Sequence, residues 1–154
     1  MRKPKEEASG DGVASVTVAV EIPLPYKKVF TVVSDPFQLP KWAKPIKAVR
    51  QTEAGGVEVD YELSTGPMPC PSEKEIDEQK GIVDWIVHPP TGVDIKVHSR
   101  VIPLDDANSV YVFTLLSPPM PKKKMKDARG VVHKNLTQDL NELKTFILTG
   151  KGKS

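Results

Sequence analysis

The chain has 154 residues, a formal net charge of +2 and 27% charged residues, enough for one domain with a real core and too mildly basic for composition to imply nucleic-acid binding. No apolar run reaches the length of a membrane span, residues 1–12 lack the apolar core of a secretory signal, and the one cysteine, Cys70, has no partner for an internal disulfide. The expectation is a cytoplasmic protein with no specific nucleic-acid partner.

In chain order, residues 1–12 are charged and glycine-containing and are expected to form a disordered tail, with the domain over 13–148 and a flexible tail over 149–154. Valines 16, 18 and 20 alternate with Thr17, Ala19 and Glu21, the pattern of a strand with one apolar face over 13–22. Pro23 and Pro25 end it. Val29, Phe30 and Val33 stand at helical spacing over 26–33, and Ser34-Asp35-Pro36 reads as a stop followed by the cap of a second short helix over 37–42. Phe37 and Trp42 are expected to pack from that helix onto a sheet; the alternative is a lid over a pocket mouth, shared with Met68.

Strands over 45–53 and 57–64 flank Gly55-Gly56, a dipeptide suited to a two-residue hairpin. That turn pairs Ala54 with Val57 and puts Arg50 on the buried face beside Val57, Val59 and Tyr61. Residues 65–71 alternate prolines around Met68 and Cys70, which excludes an internal strand and predicts an extended rim loop. Strands follow over 72–79, 82–88, 93–103 and 109–116. If residues 105–108 form the last of these turns, Arg100 lies opposite Phe113 and His98 opposite Leu115. One face then carries Trp85, His98, Arg100, Tyr111 and Phe113, the other Val97, Ser99, Val101, Val112 and Thr114. The aromatic face is expected to be buried, because large rings gain most from burial.

From 123 to 148, Met125, Val132, Leu136, Leu140, Leu143 and Ile147 recur at three- and four-residue steps, one stripe of a long amphipathic helix. Such a stripe needs an apolar partner. The simplest one is a curved antiparallel sheet of about seven strands gripping the helix, an α+β fold.

The segment Tyr26-Lys-Lys-Val-Phe30, then Ser34-Asp-Pro36 and Leu39-Pro-Lys-Trp42, set in this order of elements, resembles the START-like SRPBCC superfamily, particularly its polyketide cyclase/dehydrase-like and small lipid-transport members. The resemblance implies the helix-grip fold, with a deep cavity between sheet and helix that takes up hydrophobic small molecules. Some members carry such molecules and a minority act on them.

In that frame His98 and Arg100 are the sharpest candidates, with Arg50 as a second cationic post, because a buried guanidinium must meet an anion. As a binding site, Trp42, Arg50, Tyr61, Met68, Trp85, His98, Arg100, Tyr111, Phe113, Val132 and Leu136 would surround a lipid-like or aromatic ligand with a polar or acidic head. As an enzyme of the cyclase or dehydratase type, His98 would serve as base, Tyr61 or Tyr111 as acid and Arg100 as enolate stabiliser. A third reading is a protein-interaction module with a vestigial cavity. No metal site is expected, since His88, His98 and His133 show no ligand spacing. No cofactor is implied. Lys122, Lys123, Lys124 and Lys126 open the last helix against its macrodipole and suggest weak contact with an anionic membrane surface.

Overall fold

The computed structural model describes residues 11–153. In chain order they form β1 (Asp11–Gly12), β2 (Ser15–Ile22), α1 (Tyr26–Val33), a 3-10 turn (Pro36–Gln38), α2 (Leu39–Trp42), β3 (Ile46–Gln51), β4 (Val57–Leu63), β5 (Gly66–Asp77), β6 (Ile82–Val87), β7 (Ile95–Pro103), β8 (Ser109–Leu116), β9 (Met120–Pro121) and α3 (Lys122–Thr149). Seven antiparallel strands stand in the order β2-β8-β7-β6-β5-β4-β3. The α3 helix lies across β2 and touches α2, as a helix gripped by a curved sheet must. Most of the expected N-terminal tail, 1–10, lies outside the described residues. Its last two residues, Asp11 and Gly12, instead pair with Pro121 and Met120.

Local chemistry explains the early helices. Asp35 accepts the Phe37 N–H at 3.0 Å and Pro36 sits at the first helical position, so the expected stop and cap are both used. Trp42 is buried, whereas Phe37 is 48% exposed and does not pack as core. The 3-10 turn points it outward. Between β5 and β6 the chain turns at Gly81, φ +72°, where an added Cβ would stand 2.3 Å from the Val101 carbonyl. Only glycine closes that turn.

Three registers differ from those read in the sequence. The β3–β4 loop spans 52–56, closed by Thr52 N–H to the Gly56 carbonyl at 2.9 Å and Gly56 N–H to Thr52 Oγ1 at 3.0 Å, so Gln51, not Ala54, faces Val57. Arg50 consequently turns to the outer face, opposite Glu58. A bulge between Ile46 and Ala48 restores Ile46 to the inner face, opposite Tyr61. The β7–β8 loop spans 104–108, held by Leu104 N–H to the Asn108 carbonyl and by the Asp105 carboxylate accepting Ala107 N–H. Pro103 therefore pairs with Ser109, Arg100 with Val112 and His98 with Thr114, while across β6 His98 faces Asp84. One extra loop residue flips the whole strand: Val97, Ser99 and Val101 are buried, and His98, Arg100 and Ile102 are exposed.

The proline stretch is also corrected, because it lies within β5 and pairs with β4 from Gly66 to Ser72. Prolines 67, 69 and 71 occupy alternate positions whose missing N–H groups point away from β4. The Pro71 carbonyl accordingly accepts from His88 on the β6 side, at 2.8 Å. The β6 ladder begins only at Ser72, so no ladder donor is missing.

In α3 the apolar stripe is buried unevenly. Leu140 and Leu143 are fully buried, while Met125, Val132 and Leu136 are only partly covered. Gly150, φ +76°, caps the helix by donating to the Phe146 carbonyl at 2.7 Å. Beyond it, the expected flexible tail is docked as far as Lys153, whose N–H donates to the Lys41 carbonyl at 2.8 Å.

Candidate functional site

The inner face of the sheet and the helices enclose a cavity of about 50 Å³. Trp42, Tyr61, Trp85, Tyr111 and Phe113 line it, with Val33, Leu39, Ile46, Val59, Ser72, Val87 and Val97. Of the expected ring of residues, these five aromatics are brought together. Val132 and Leu136 pack against the core without lining the cavity, and Met68, opposite Tyr61 on β5, stands outside the lining. Ser72 and Val97 were not anticipated. Ser72 stands on β5 opposite Val57, and the β7 register places Val97 inward.

Arg50, His98 and Arg100 are on the opposite side of the sheet. Arg50 forms a fork to the Asp60 carboxylate, at 2.6 and 2.7 Å, and reaches Glu58 at 2.5 Å. Those hydrogen bonds raise its pKa further and hold the Asp60 carboxyl below the usual carboxylate range. His98 Nδ1 lies 3.1 Å from Asp84 Oδ2, and Arg100 donates to the Lys80 carbonyl at 3.0 Å. These two line a shallow outer hollow with Ile82, Asp84, Ile102, Val112 and Thr114. Burying the Arg100 guanidinium and the polar His98 ring would have cost far more than burying Val97, Ser99 and Val101, so the flipped register is the stable one.

Inside the cavity the polar groups are few and neutral. The Tyr111 hydroxyl donates to Ser99 Oγ at 3.0 Å, and Ser99 in turn donates to the Val83 carbonyl. Burial raises the Tyr111 pKa beyond its ordinary value. Ser72 Oγ donates to the Cys70 carbonyl at 3.1 Å. Tyr61 differs from both. Burial, assisted by the neighbouring Cys70, pushes its pKa up to about 12, and its hydroxyl has no hydrogen-bond partner among the described residues. Tyr61 as a whole is partly buried, with its side chain in the cavity lining. Cys70 is buried, with its thiol pKa raised by desolvation and by Asp60 and Glu58, which makes it a poor nucleophile.

Elsewhere, among the described residues, no cluster of three or more histidine, cysteine or acidic side chains could hold a metal ion, and no helix is long and apolar enough to cross a membrane. Lys122, Lys123, Lys124 and Lys126 are exposed on the first turns of α3. A polar groove of about 320 Å³ opens between the start of β3, the end of β4 and the middle of α3, lined by Lys44, Pro45, Glu62, Asn135, Gln138 and Asp139. It is larger than the apolar cavity, but it is open and lies outside the sheet–helix interior.

This architecture is shared with known structures. An aromatase/cyclase, Zhui, from Streptomyces sp. R1128 superposes with a TM-score of 0.71 at 17% identity, covering 89% of this chain and 94% of that one. A conserved protein from Geobacillus kaustophilus gives 0.71 at 14% identity, over 89% and 97%. A START superfamily protein from Mycobacterium smegmatis gives 0.60 at 17% identity, over 84% and 94%. At such identities the likeness establishes the fold. No curated protein sequence matches the chain. The sequence profile described as polyketide cyclase/dehydrase and lipid transport matches residues 13–146. With a helix-grip fold and nearly the whole domain matched, the chain belongs to the polyketide cyclase/dehydrase and lipid transport family.

Proposed function

We propose that this protein binds a hydrophobic, ring-bearing small molecule through a neutral hydrogen-bond-accepting group, in the cavity between sheet and helices. The supporting observation is the Tyr61 hydroxyl, a protonated donor with no acceptor among the described residues, in a mostly apolar lining. A ligand carbonyl or ether oxygen would give that hydroxyl the acceptor it lacks. The acidic head expected from His98 and Arg100 is replaced by a neutral one, because the lining contains no charged residue and an unpaired anion there would pay a large desolvation penalty.

The cyclase or dehydratase reading loses its base. His98 lies on the outer face, and the cavity's tyrosines have pKa values raised above their ordinary one, so no lining group exchanges protons near neutrality. Carriage, with the rings as walls and Tyr61 as the orienting contact, asks only for binding. Lys122, Lys123, Lys124 and Lys126 would add a weak contact with an anionic membrane during loading. Vesicles containing anionic lipid should then retain the protein at low salt and release it at high salt; vesicles that retain none at low salt would remove this element.

Native mass spectrometry of the purified protein, followed by denaturing analysis of anything released, tests the main reading. A neutral apolar adduct, or tighter binding of added 2-acetylnaphthalene than of 2-naphthoate, is expected. Preference for the acid would overturn the neutral-head assignment, and failure of every apolar probe to bind would favour the interaction-module reading.

A further inference from the structure

A cavity of about 50 Å³ is several times smaller than the roughly 300 Å³ or more that small-molecule sites occupy, so a ligand enters only if a wall gives way. On the sheet side the wall is a continuous hydrogen-bonded ladder. The joint between α2 and β3 has no such ladder, yet it carries Trp42 and Ile46 into the lining. What holds this joint holds part of the cavity's non-sheet wall, which Val33 and Leu39 complete.

The C-terminal segment holds it. After the Gly150 cap the chain folds back, and the Lys153 ammonium donates to the carbonyls of Ala43 at 2.7 Å, Lys44 at 3.1 Å and Ile46 at 2.8 Å. All three ammonium donors are used. The Lys153 backbone N–H adds the bond to the Lys41 carbonyl. Gly152 lets the backbone come this close, since a Cβ there would lie 3.3 Å from the Lys41 oxygen. Below the joint, the buried Asp139 carboxylate accepts the Lys44 N–H at 3.1 Å. Desolvation lowers the Lys153 pKa, against the upward pull of Asp139 and Glu62, consistent with an ammonium held within the fold.

We propose that Lys153 is a latch: its cage of three carbonyls pins the Trp42–Ile46 wall shut, and its release opens the cavity to ligand. The inference rests on the binding function proposed above and adds its regulation. Anything that draws the tail away from the joint would speed exchange of the cargo, and truncation of the tail would leave the wall loose.

Two measurements on the full chain test this, comparing wild type with Lys153→Met and with the milder Gly152→Ala, which retains the ammonium should the first variant fold poorly. Hydrogen exchange at the Ala43, Lys44 and Ile46 amides, which needs no ligand, should accelerate about tenfold or more in Lys153→Met and less in Gly152→Ala, with the β7 and β8 amides unchanged. Uptake of the neutral fluorescent probe N-phenyl-1-naphthylamine, followed by stopped flow, should quicken by a similar factor. Unchanged exchange in both variants overturns the latch. Faster exchange with unchanged uptake shows that the joint is not the gate. Probe entering none of the proteins overturns the binding function, and the gate with it, while exchange still reports whether Lys153 holds the joint.

Discussion

The two faces of the central strands β6, β7 and β8 are built from interleaved residues, yet they do opposite things. Val83, Trp85, Val97, Val101 and Tyr111 are buried on the inner face, where Tyr111 donates to Ser99 and Ser99 to the Val83 carbonyl. On the outer face Asp84, His98 and Arg100 meet partners in or near water. The residues most suggestive of chemistry thus form ordinary surface pairs, and the cavity is lined by neutral ones.

Replacing inner-face residues should break this contrast most strongly. Tyr111→Ala removes a fully buried ring and leaves Ser99 without its donor; it should cost about 3–5 kcal/mol in chemical denaturation. His98→Ala should stay within about 0.5 kcal/mol. Comparable losses for the two variants would mean that the faces are assigned the wrong way round.

A sharper comparison lies within the cavity. Tyr61→Phe should leave stability unchanged or slightly raised, because it deletes an unpartnered hydroxyl. It should weaken binding of 2-acetylnaphthalene by about 5- to 10-fold, the worth of one hydrogen bond, and leave 2-ethylnaphthalene unaffected. Equal weakening of both probes would assign Tyr61 a packing role alone. Arg100→Ala should alter the affinity for neither probe, and isothermal titration would detect any departure.

The smallest effects belong to the outer ion pairs. Arg50→Gln should barely move the denaturation midpoint at low salt, and the difference should vanish as salt is added, since the pair is solvent-exposed. His88 is held between Glu73 at 2.5 Å and Asp94 at 2.7 Å, and those hydrogen bonds raise its pKa. A raised folded-state pKa stabilises fully below the unfolded value of about 6.5 and ceases to do so as pH rises through the folded value. The midpoint advantage of wild type over His88→Ala should therefore be larger at pH 5.5 than at pH 8.5. NMR titration of His88 in Glu73→Gln should also give a lower pKa than in wild type.

The sequence by itself determined most of the element types, their order and the helix-grip architecture. Alternating valines, the Asp35-Pro36 cap and the stripe ending in Leu140 and Leu143 each report a local period that packing then uses. It also singled out the aromatics Trp42, Tyr61, Trp85, Tyr111 and Phe113 around the cavity. Tertiary structure decided the rest. Two loops, 52–56 and 104–108, are longer than the shortest turn their residues allow, and strand parity turns each such difference into a change of face for Arg50, His98 and Arg100. The prolines of β5 could enter the sheet because β6 begins beyond them, and Lys153 gained its partners only where the tail met the α2–β3 joint. These outcomes depend on contacts distant in sequence, where desolvation and ladder pairing outweigh local pattern.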